Sequence, residues 1–252
     1  MAALEEGPHP ATVERVWFNG HDGVRVEGIH ARPEDEPSRG LVLIPDIMGV
    51  RELFDDLCRR IATHGIAVLA VEPWARLTPA QRASLDVQGR MESARNLRDQ
   101  VQLGDLEGAA EWLGERDGVG RTAVLGFCMG GMYALKAAAL GRFDRAVAFY
   151  GMVRVPENWR GPGQADALDL LTDACPTLAI VAGRDEFVPG EDIDALRRRW
   201  QGSNEHEIVV YPEAEHGFVH DPARPTHRAQ DAADAWRRVL AFLGRARVVG
   251  AR

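Results

Sequence analysis

Fully apolar runs alternate with amphipathic stretches along most of the chain. Residues 41–44 and 67–71 are apolar at every position, which is typical of strands buried on both faces of a parallel sheet. Residues 54–64 instead carry apolar side chains at helical spacing, with charged side chains between them. This alternation predicts an α/β fold in which helices flank a mostly parallel central sheet.

The same two patterns continue to the C-terminal part of the chain. Further strands are predicted at residues 123–125, 146–150, 177–181 and 207–211. Further helices are predicted at residues 91–115, 129–140, 192–200 and 226–243, with irregular stretches at 74–90 and 154–175. Active sites of such sheets gather at the carboxyl ends of the strands, so the residue after each apolar run is a candidate.

The N-terminal part has a different pattern. Residues 12–32 hold two β-rich stretches around an Asn-Gly-His-Asp-Gly turn, which predicts an antiparallel hairpin at the edge of the sheet. The chain contains no internal repeat, low-complexity tract or interdomain linker. We therefore expect residues 1–252 to form a single domain.

Composition and charge narrow the classes of function. The formal net charge of -8 argues against nucleic acid or an anionic membrane as a partner, since both require a concentrated positive field. The N-terminus has no basic start followed by an apolar run, and no later segment has the length of an apolar membrane span, so we expect a cytoplasmic protein. Three cysteines without a CxxC pair suit neither a disulfide framework nor a structural zinc site.

A Gly-x-Cys-x-Gly sequence spans the predicted strand-to-helix turn around Cys128. This is the nucleophile-elbow pattern with cysteine in place of serine, and Gly126 and Gly130 allow the strand and helix to approach closely. The helix N-terminus favours a thiolate, and the Met129 N–H is placed to bind a developing oxyanion. The alternative is an inert, buried cysteine in a glycine-rich turn.

A carboxylate and a histidine follow two later apolar runs. Asp185 comes after the strand predicted at 177–181, and His216 lies in the loop after the strand predicted at 207–211. The order nucleophile, acid, base predicts that Cys128 attacks a carbonyl, His216 transfers protons and Asp185 orients the imidazole. Glu186 is the main rival to Asp185 as the acid.

The chain resembles the dienelactone hydrolase family, whose members are also called carboxymethylenebutenolidases. The resemblance covers about residues 41–243 and is carried by the motifs at 44–50, 65–76, 126–131, 150–151, 183–189 and 216–218. It implies an α/β-hydrolase fold without a large cap, an acyl-cysteine intermediate and no cofactor. It further implies that the Ile47 backbone N–H is the second oxyanion donor.

Two positions depart from the family pattern. Asp46 stands where the first described members have a glutamate that engages and activates the thiol, and it is one methylene shorter. His220, four residues after the predicted base, stands where those members have an arginine that grips the substrate carboxylate. A neutral imidazole holds an anion less firmly than a bidentate guanidinium, which favours a substrate other than dienelactone.

Several further residues are candidates for the substrate pocket. Trp74 and Tyr150 follow strands and are predicted to line the pocket, although either could equally belong to the core. Replacement cations, each of which could instead lie on a solvated helix face, are Arg76, Arg82, Arg90 and Arg95. We assign no metal to the His216 and His220 pair because Gly217 interrupts the helix that such spacing requires. Cys58 and Cys175 are interpreted as structural cysteines.

The leading hypothesis is therefore a cysteine-dependent esterase or lactonase that acts on a small-molecule substrate as a monomer or weak homo-oligomer. One alternative is a broader carboxylesterase or thioesterase with the same triad. Another is a binding protein that keeps the fold and has no catalytic activity. The intact triad and glycines argue against this last alternative.

Overall fold

One eight-stranded sheet runs through the described residues, 3–245, of the computed structural model. The strands are β1 (Ala11–Asn19), β2 (Arg25–Pro33), β3 (Arg39–Ile44), β4 (Ile66–Val71), β5 (Thr122–Phe127), β6 (Ala146–Phe149), β7 (Thr177–Ala182) and β8 (His206–Tyr211). Their order across the sheet is β1-β2-β4-β3-β5-β6-β7-β8. Strands β1 and β2 form an antiparallel pair, β2 is antiparallel to β4, and the strands from β4 to β8 are parallel. The predicted hairpin and the predicted fold class are both confirmed.

Helices cover both faces of this sheet. They are α1 (Glu52–Ala62), α2 (Pro79–Ser84), α3 (Val87–Ser93), α4 (Asp99–Asp117), α5 (Met129–Ala137), α6 (Ala167–Leu170), α7 (Gly190–Arg199) and α8 (Ala229–Gly244). Helices α1 and α8 pack in one apolar cluster, and α4, α5 and α7 pack in a second cluster on the opposite face. Strands β3 to β7 are therefore buried on both faces, which is why their sequences are continuously apolar.

The prediction of a single helix at residues 91–115 was wrong. The chain leaves the helical conformation at Leu97 and Arg98, between α3 and α4. The Gln164 side-chain amide donates to the carbonyl oxygens of Ala94 and Leu97, at 2.8 and 2.9 Å. A loop distant in sequence thus replaces the local hydrogen bonds that would have continued the helix.

No helix between residues 3 and 245 is both long enough and apolar enough to cross a bilayer.

Candidate active site

The predicted site residues follow different parallel strands and lie at the same edge of the sheet. Asp46 follows β3, Cys128 follows β5, and Tyr150 follows β6. Asp185 follows β7, and His216 lies in the loop after β8. The carboxyl ends of parallel strands converge, so the fold brings together residues that are far apart in sequence.

Cys128 occupies a strained turn between β5 and α5. Its backbone has φ 56° and ψ -117°, a combination that only glycine adopts easily. A Cβ added at Gly126 would lie 2.0 Å from the Gly130 carbonyl oxygen, so the strand and the helix require glycine at this contact. The Cys128 N–H donates to the Phe149 carbonyl oxygen at 3.0 Å, which anchors the turn to β6.

Asp185 and His216 form a close pair beside this turn. His216 Nδ1 lies 2.8 Å from Asp185 Oδ2 and 3.0 Å from Oδ1. The Asp185 side chain is fully buried and also accepts the Phe187 N–H at 2.8 Å, which fixes the carboxylate. The rival Glu186 is exposed.

The other ring nitrogen of His216 interacts with Cys128 through charge. His216 Nε2 is buried and has no partner of hydrogen-bond geometry among residues 3–245. Burial alone would lower the pKa of His216, but the negative charge of a Cys128 thiolate and the Asp185 carboxylate outweigh it and raise the pKa to about 10. The arrangement thus favours the imidazolium form of His216.

The two predicted oxyanion donors lie on adjoining segments. Met129 begins α5, and the N–H of a first helical residue has no acceptor within its helix. Ile47 lies in residues 46–50, named the 46–50 loop from here on. A Cβ at Gly130 would lie 2.3 Å from the carbonyl oxygens of Ile44 and Pro45, so the chain that leads into this loop packs directly on α5.

Asp46 and His220 form a second carboxylate–histidine pair, and Tyr150 extends it. His220 Nε2 lies 2.8 Å from Asp46 Oδ2, and His220 Nδ1 lies 2.5 Å from the Tyr150 hydroxyl. The three side chains are buried, and Phe127 packs on the His220 ring at 4.9 Å between centroids. His220 is thus enclosed by protein groups, and both of its nitrogens are engaged.

Two arginines that sequence reasoning missed bind Asp46. Arg51 donates to both carboxylate oxygens, at 2.7 and 2.9 Å, and Arg224 lies 3.4 Å from Oδ2. Burial raises the pKa of Asp46, but the hydrogen bonds from His220 and Arg51 and the positive charge of Arg51 outweigh it and hold this pKa well below its usual range. The hydrogen bonds of Asp46 within residues 3–245 run to these groups and to the Met48 N–H, and none runs to Cys128.

Arg76 and Trp74 make contacts within the protein and border a cavity that none of the three triad candidates lines. The Arg76 guanidinium is paired with Asp22 and with Asp105, so both of its edges are occupied. Both predicted pocket residues border a cavity of about 320 Å³ whose lining also includes Leu97. Their position indicates structural contacts more strongly than contact with a substrate at Cys128.

Arg90 is the one of the four candidate arginines that is buried and also has an unpaired donor nitrogen among residues 3–245. Arg82 pairs with Glu27 and Glu72, and Arg95 is exposed. Arg90 is only 6% exposed, and its Nη1 has no hydrogen-bond partner among residues 3–245. The charges of Asp46, Arg51 and Glu72 all act on the Arg90 guanidinium, which lies 5.9 Å from the centre of the Trp74 ring.

Metal ligation has no support in this geometry. His216 and His220 bind different carboxylates, and residues 3–245 contain no cluster of three or more histidine, cysteine, aspartate or glutamate side chains suited to a metal ion.

Cys58 is fully buried on α1, and burial raises the pKa of its thiol far above the usual range.

The fold and site define a hydrolase of the α/β-hydrolase class. A solved dienelactone hydrolase from Klebsiella pneumoniae subsp. pneumoniae is 28% identical, with a TM-score of 0.84, and the match covers 93% of this chain and 99% of the other. An esterase from Pyrobaculum calidifontis, at 20% identity and a TM-score of 0.68, shares the fold over 95% of this chain and 86% of its own. An Escherichia coli K12 protein named as a carboxymethylenebutenolidase is 32% identical over 246 residues, covering 95% of this chain and 89% of that protein.

The Dienelactone hydrolase family profile matches residues 26–247. The chain belongs to the dienelactone hydrolase family, and it is a hydrolase of ester or lactone bonds.

Proposed function

We propose that the protein opens a lactone or cleaves a small ester through an acyl-Cys128 intermediate. This proposal rests on the surroundings of His216. Its Nδ1 lies 2.8 Å from Asp185 Oδ2, and the charge of Cys128 acts on its imidazole. A thiolate at a strained strand-to-helix turn is a nucleophile, and an adjacent imidazolium is an acid.

The acylation step uses both groups. The Cys128 sulfur attacks the carbonyl carbon, an S–C bond forms, and the carbonyl π electrons move to oxygen. The N–H groups of Met129 and Ile47 stabilise the resulting oxyanion. When the oxyanion collapses, the C–O bond of the alkoxide or enolate leaving group breaks, and His216 donates its proton to that oxygen. A thioester and a neutral imidazole remain.

Deacylation reverses these roles. The neutral His216 takes a proton from water, whose oxygen attacks the thioester carbon. The tetrahedral intermediate expels the Cys128 thiolate, and the imidazolium–thiolate pair is restored. Asp185 keeps the imidazole oriented through both steps and is not itself protonated.

Arg90 supports a substrate that carries a carboxylate. The Arg90 guanidinium is buried and its Nη1 has no hydrogen-bond partner among residues 3–245, a costly state that an anion reaching this nitrogen would relieve. His220 is enclosed and engaged on both nitrogens, so we assign the anion-binding role to Arg90 instead. A cyclic ester that carries a carboxylate would complement the positive charge of Arg90. The uncharged esters that a broader carboxylesterase cleaves would leave this charge unpaired.

The test compares hydrolysis of p-nitrophenyl acetate and of cis-dienelactone by the wild type, Cys128→Ala and Cys175→Ser. We expect turnover by the wild type and by the Cys175→Ser control, and none by Cys128→Ala. We expect Arg90→Met to raise KM for dienelactone about ten-fold or more and to leave p-nitrophenyl acetate unaffected. Wild-type inactivity on both esters, with no iodoacetamide labelling of Cys128, would overturn the proposal in favour of a binding protein.

A further inference from the structure

Glu72 is a buried carboxylate that the mechanism above does not use. It follows β4 and is only 2% exposed. Its Oε1 accepts the Trp74 N–H at 2.9 Å, and its Oε2 accepts the Val50 N–H at 3.0 Å. A single side chain therefore joins the end of the 46–50 loop to the segment that follows β4.

Trp74 holds the same loop at a second point. Its indole Nε1 donates to the Ile47 carbonyl oxygen at 2.8 Å, and the residue is only 3% exposed. The Ile47 carbonyl and N–H lie in adjoining peptide planes that meet at the Ile47 Cα, so a bond that fixes the carbonyl restrains the N–H through the two backbone angles of Ile47. The Ile47 N–H is the group proposed to bind the oxyanion.

The loop is pressed closely against the Glu72 carboxylate. Gly49 has φ 72°, and its N–H donates to the Asp46 carbonyl oxygen at 2.9 Å, closing a tight turn. A Cβ at Gly49 would lie 2.7 Å from both carboxylate oxygens of Glu72. The Gly49 backbone therefore lies directly against the Glu72 carboxylate, with no space for a side chain between them.

Burying a carboxylate is costly, so its presence here requires compensating contacts. Burial raises the pKa of Glu72, and the N–H groups of Trp74 and Val50 oppose this, as do the charges of Arg82 and Arg90. Arg82 Nη1 lies 3.4 Å from Glu72 Oε2. The carboxylate is therefore held by groups that belong to, or surround, the 46–50 loop.

The geometry points to Glu72 and Trp74 as positioning residues that aim the Ile47 N–H at the oxyanion. This inference rests on the proposed function, because it assigns them a part in the same acyl transfer. Oxyanion donors stabilise the transition state only when they are fixed at the correct position beforehand. Loosening the 46–50 loop should therefore slow the chemical step with little effect on substrate binding.

The first variant is Trp74→Phe, which keeps an aromatic ring and removes the indole N–H. We expect kcat for p-nitrophenyl acetate to fall about ten-fold, with KM changed less than two-fold. The matched control is Trp200→Phe, because Trp200 is also buried and its Nε1 has no hydrogen-bond partner among residues 3–245. The control should keep the wild-type kcat.

Alkylation of Cys128 by iodoacetamide supplies a readout that general damage would change. Alkylation displaces iodide at a saturated carbon and forms no oxyanion, so it depends on the thiolate alone. We expect Trp74→Phe to be alkylated at the wild-type rate while its single-turnover acylation slows. Parallel slowing of both reactions, or a kcat equal to that of Trp200→Phe, would overturn the inference.

Glu72→Gln is the second variant, and it removes the buried charge while keeping the size of the side chain. One carboxylate oxygen becomes an NH₂ group that faces a backbone N–H donor. One of the two hydrogen bonds from the Trp74 and Val50 N–H groups is therefore lost. We expect a fall in kcat at least as large as for Trp74→Phe, again with unchanged alkylation. Absence of ester turnover by the wild type would overturn the proposed function together with this inference, whereas full turnover by both variants would overturn this inference alone.

Discussion

Two aspartate–histidine pairs lie at the catalytic edge, and they differ in protonation. Asp185–His216 and Asp46–His220 both have a closest nitrogen-to-oxygen distance of 2.8 Å. The pKa of His216 is raised to about 10, whereas burial lowers the pKa of His220 below its usual value. Residue types and distance alone therefore do not decide whether such a pair can transfer protons.

The group beside the second ring nitrogen of each histidine accounts for the difference in pKa. His216 has the Cys128 thiolate beside its free nitrogen, and this negative charge favours the imidazolium. His220 has the Tyr150 hydroxyl at that position, while the positive charges of Arg51 and Arg224 oppose its protonation. A neutral His220 donates from Nε2 to Asp46 and accepts the Tyr150 proton at Nδ1. The charges around the first pair suit the proton transfer that we propose for it, whereas the groups around the second pair suit fixed hydrogen bonding.

Replacing each histidine in turn by glutamine tests whether the two histidines differ in proton transfer. The glutamine Nε2 can mimic the imidazole Nε2. We expect His216→Gln to lose about 10³-fold or more of kcat/KM for p-nitrophenyl acetate, since no group remains to move the proton. We expect His220→Gln to retain kcat/KM within about ten-fold, because it still donates to Asp46. Equal losses would place His220 in the proton-transfer chemistry.

Replacing Asp46 tests the structural role of the second pair. Asp46→Asn leaves Arg51 and His220 without their buried anion, and we expect the free energy of unfolding to fall by about 3 kcal/mol. The pKa of Asp46 is depressed in the folded protein, so its contribution is present above the ordinary value of about 3.9 and is lost as pH falls through the folded pKa. Urea denaturation at pH 7 and at strongly acidic pH measures both effects. A constant difference between wild type and variant at all pH values would contradict this assignment.

Removing Asp185 should change the pH dependence of Cys128 alkylation. The raised pKa of His216 means that the imidazolium persists as pH rises and is lost only near pH 10, so its electrostatic support of Cys128 alkylation by iodoacetamide should persist from pH 7 to 9. In Asp185→Asn that pKa falls, and we expect alkylation to slow about ten-fold at pH 7. The two rates should converge at pH 10, where a thiol ionises without help. A ten-fold gap that persists at pH 10 would indicate damage to the elbow.

The smallest expected effect concerns the Tyr150 hydroxyl. Tyr150→Phe removes one buried hydrogen bond to His220, and we expect a loss of about 1 kcal/mol in the free energy of unfolding. The rate of Cys128 alkylation should not change, because the first pair does not contact this hydroxyl. A change in the rate of Cys128 alkylation in Tyr150→Phe would instead show that the two pairs are coupled.

The sequence was sufficient to predict the fold, and it selected the three residues that we propose as the triad. Each of Cys128, Asp185 and His216 follows an apolar run, and the parallel sheet brings such positions to one edge. The same rule could have selected Glu72, which directly follows β4. Its role depends on the path of the 46–50 loop, and local sequence does not fix that path.

Other features depend on contacts between distant parts of the chain. Arg224 reaches Asp46 from the loop after β8, and no local pattern distinguishes it from a surface arginine. The break between α3 and α4 depends on Gln164 in the same way. His220 was predicted to touch substrate, but the structure encloses it between Tyr150 and Asp46.

The backbone angles of Cys128 place catalysis in opposition to thermal robustness. A residue with a side chain at φ 56° and ψ -117° costs about 1 to 3 kcal/mol relative to glycine. A library of random variants selected only for survival on heating should therefore accumulate Cys128→Gly, a hardier and inert protein. Under the proposed mechanism, the thiol would persist at this turn only where the reaction assigned to it is itself under selection.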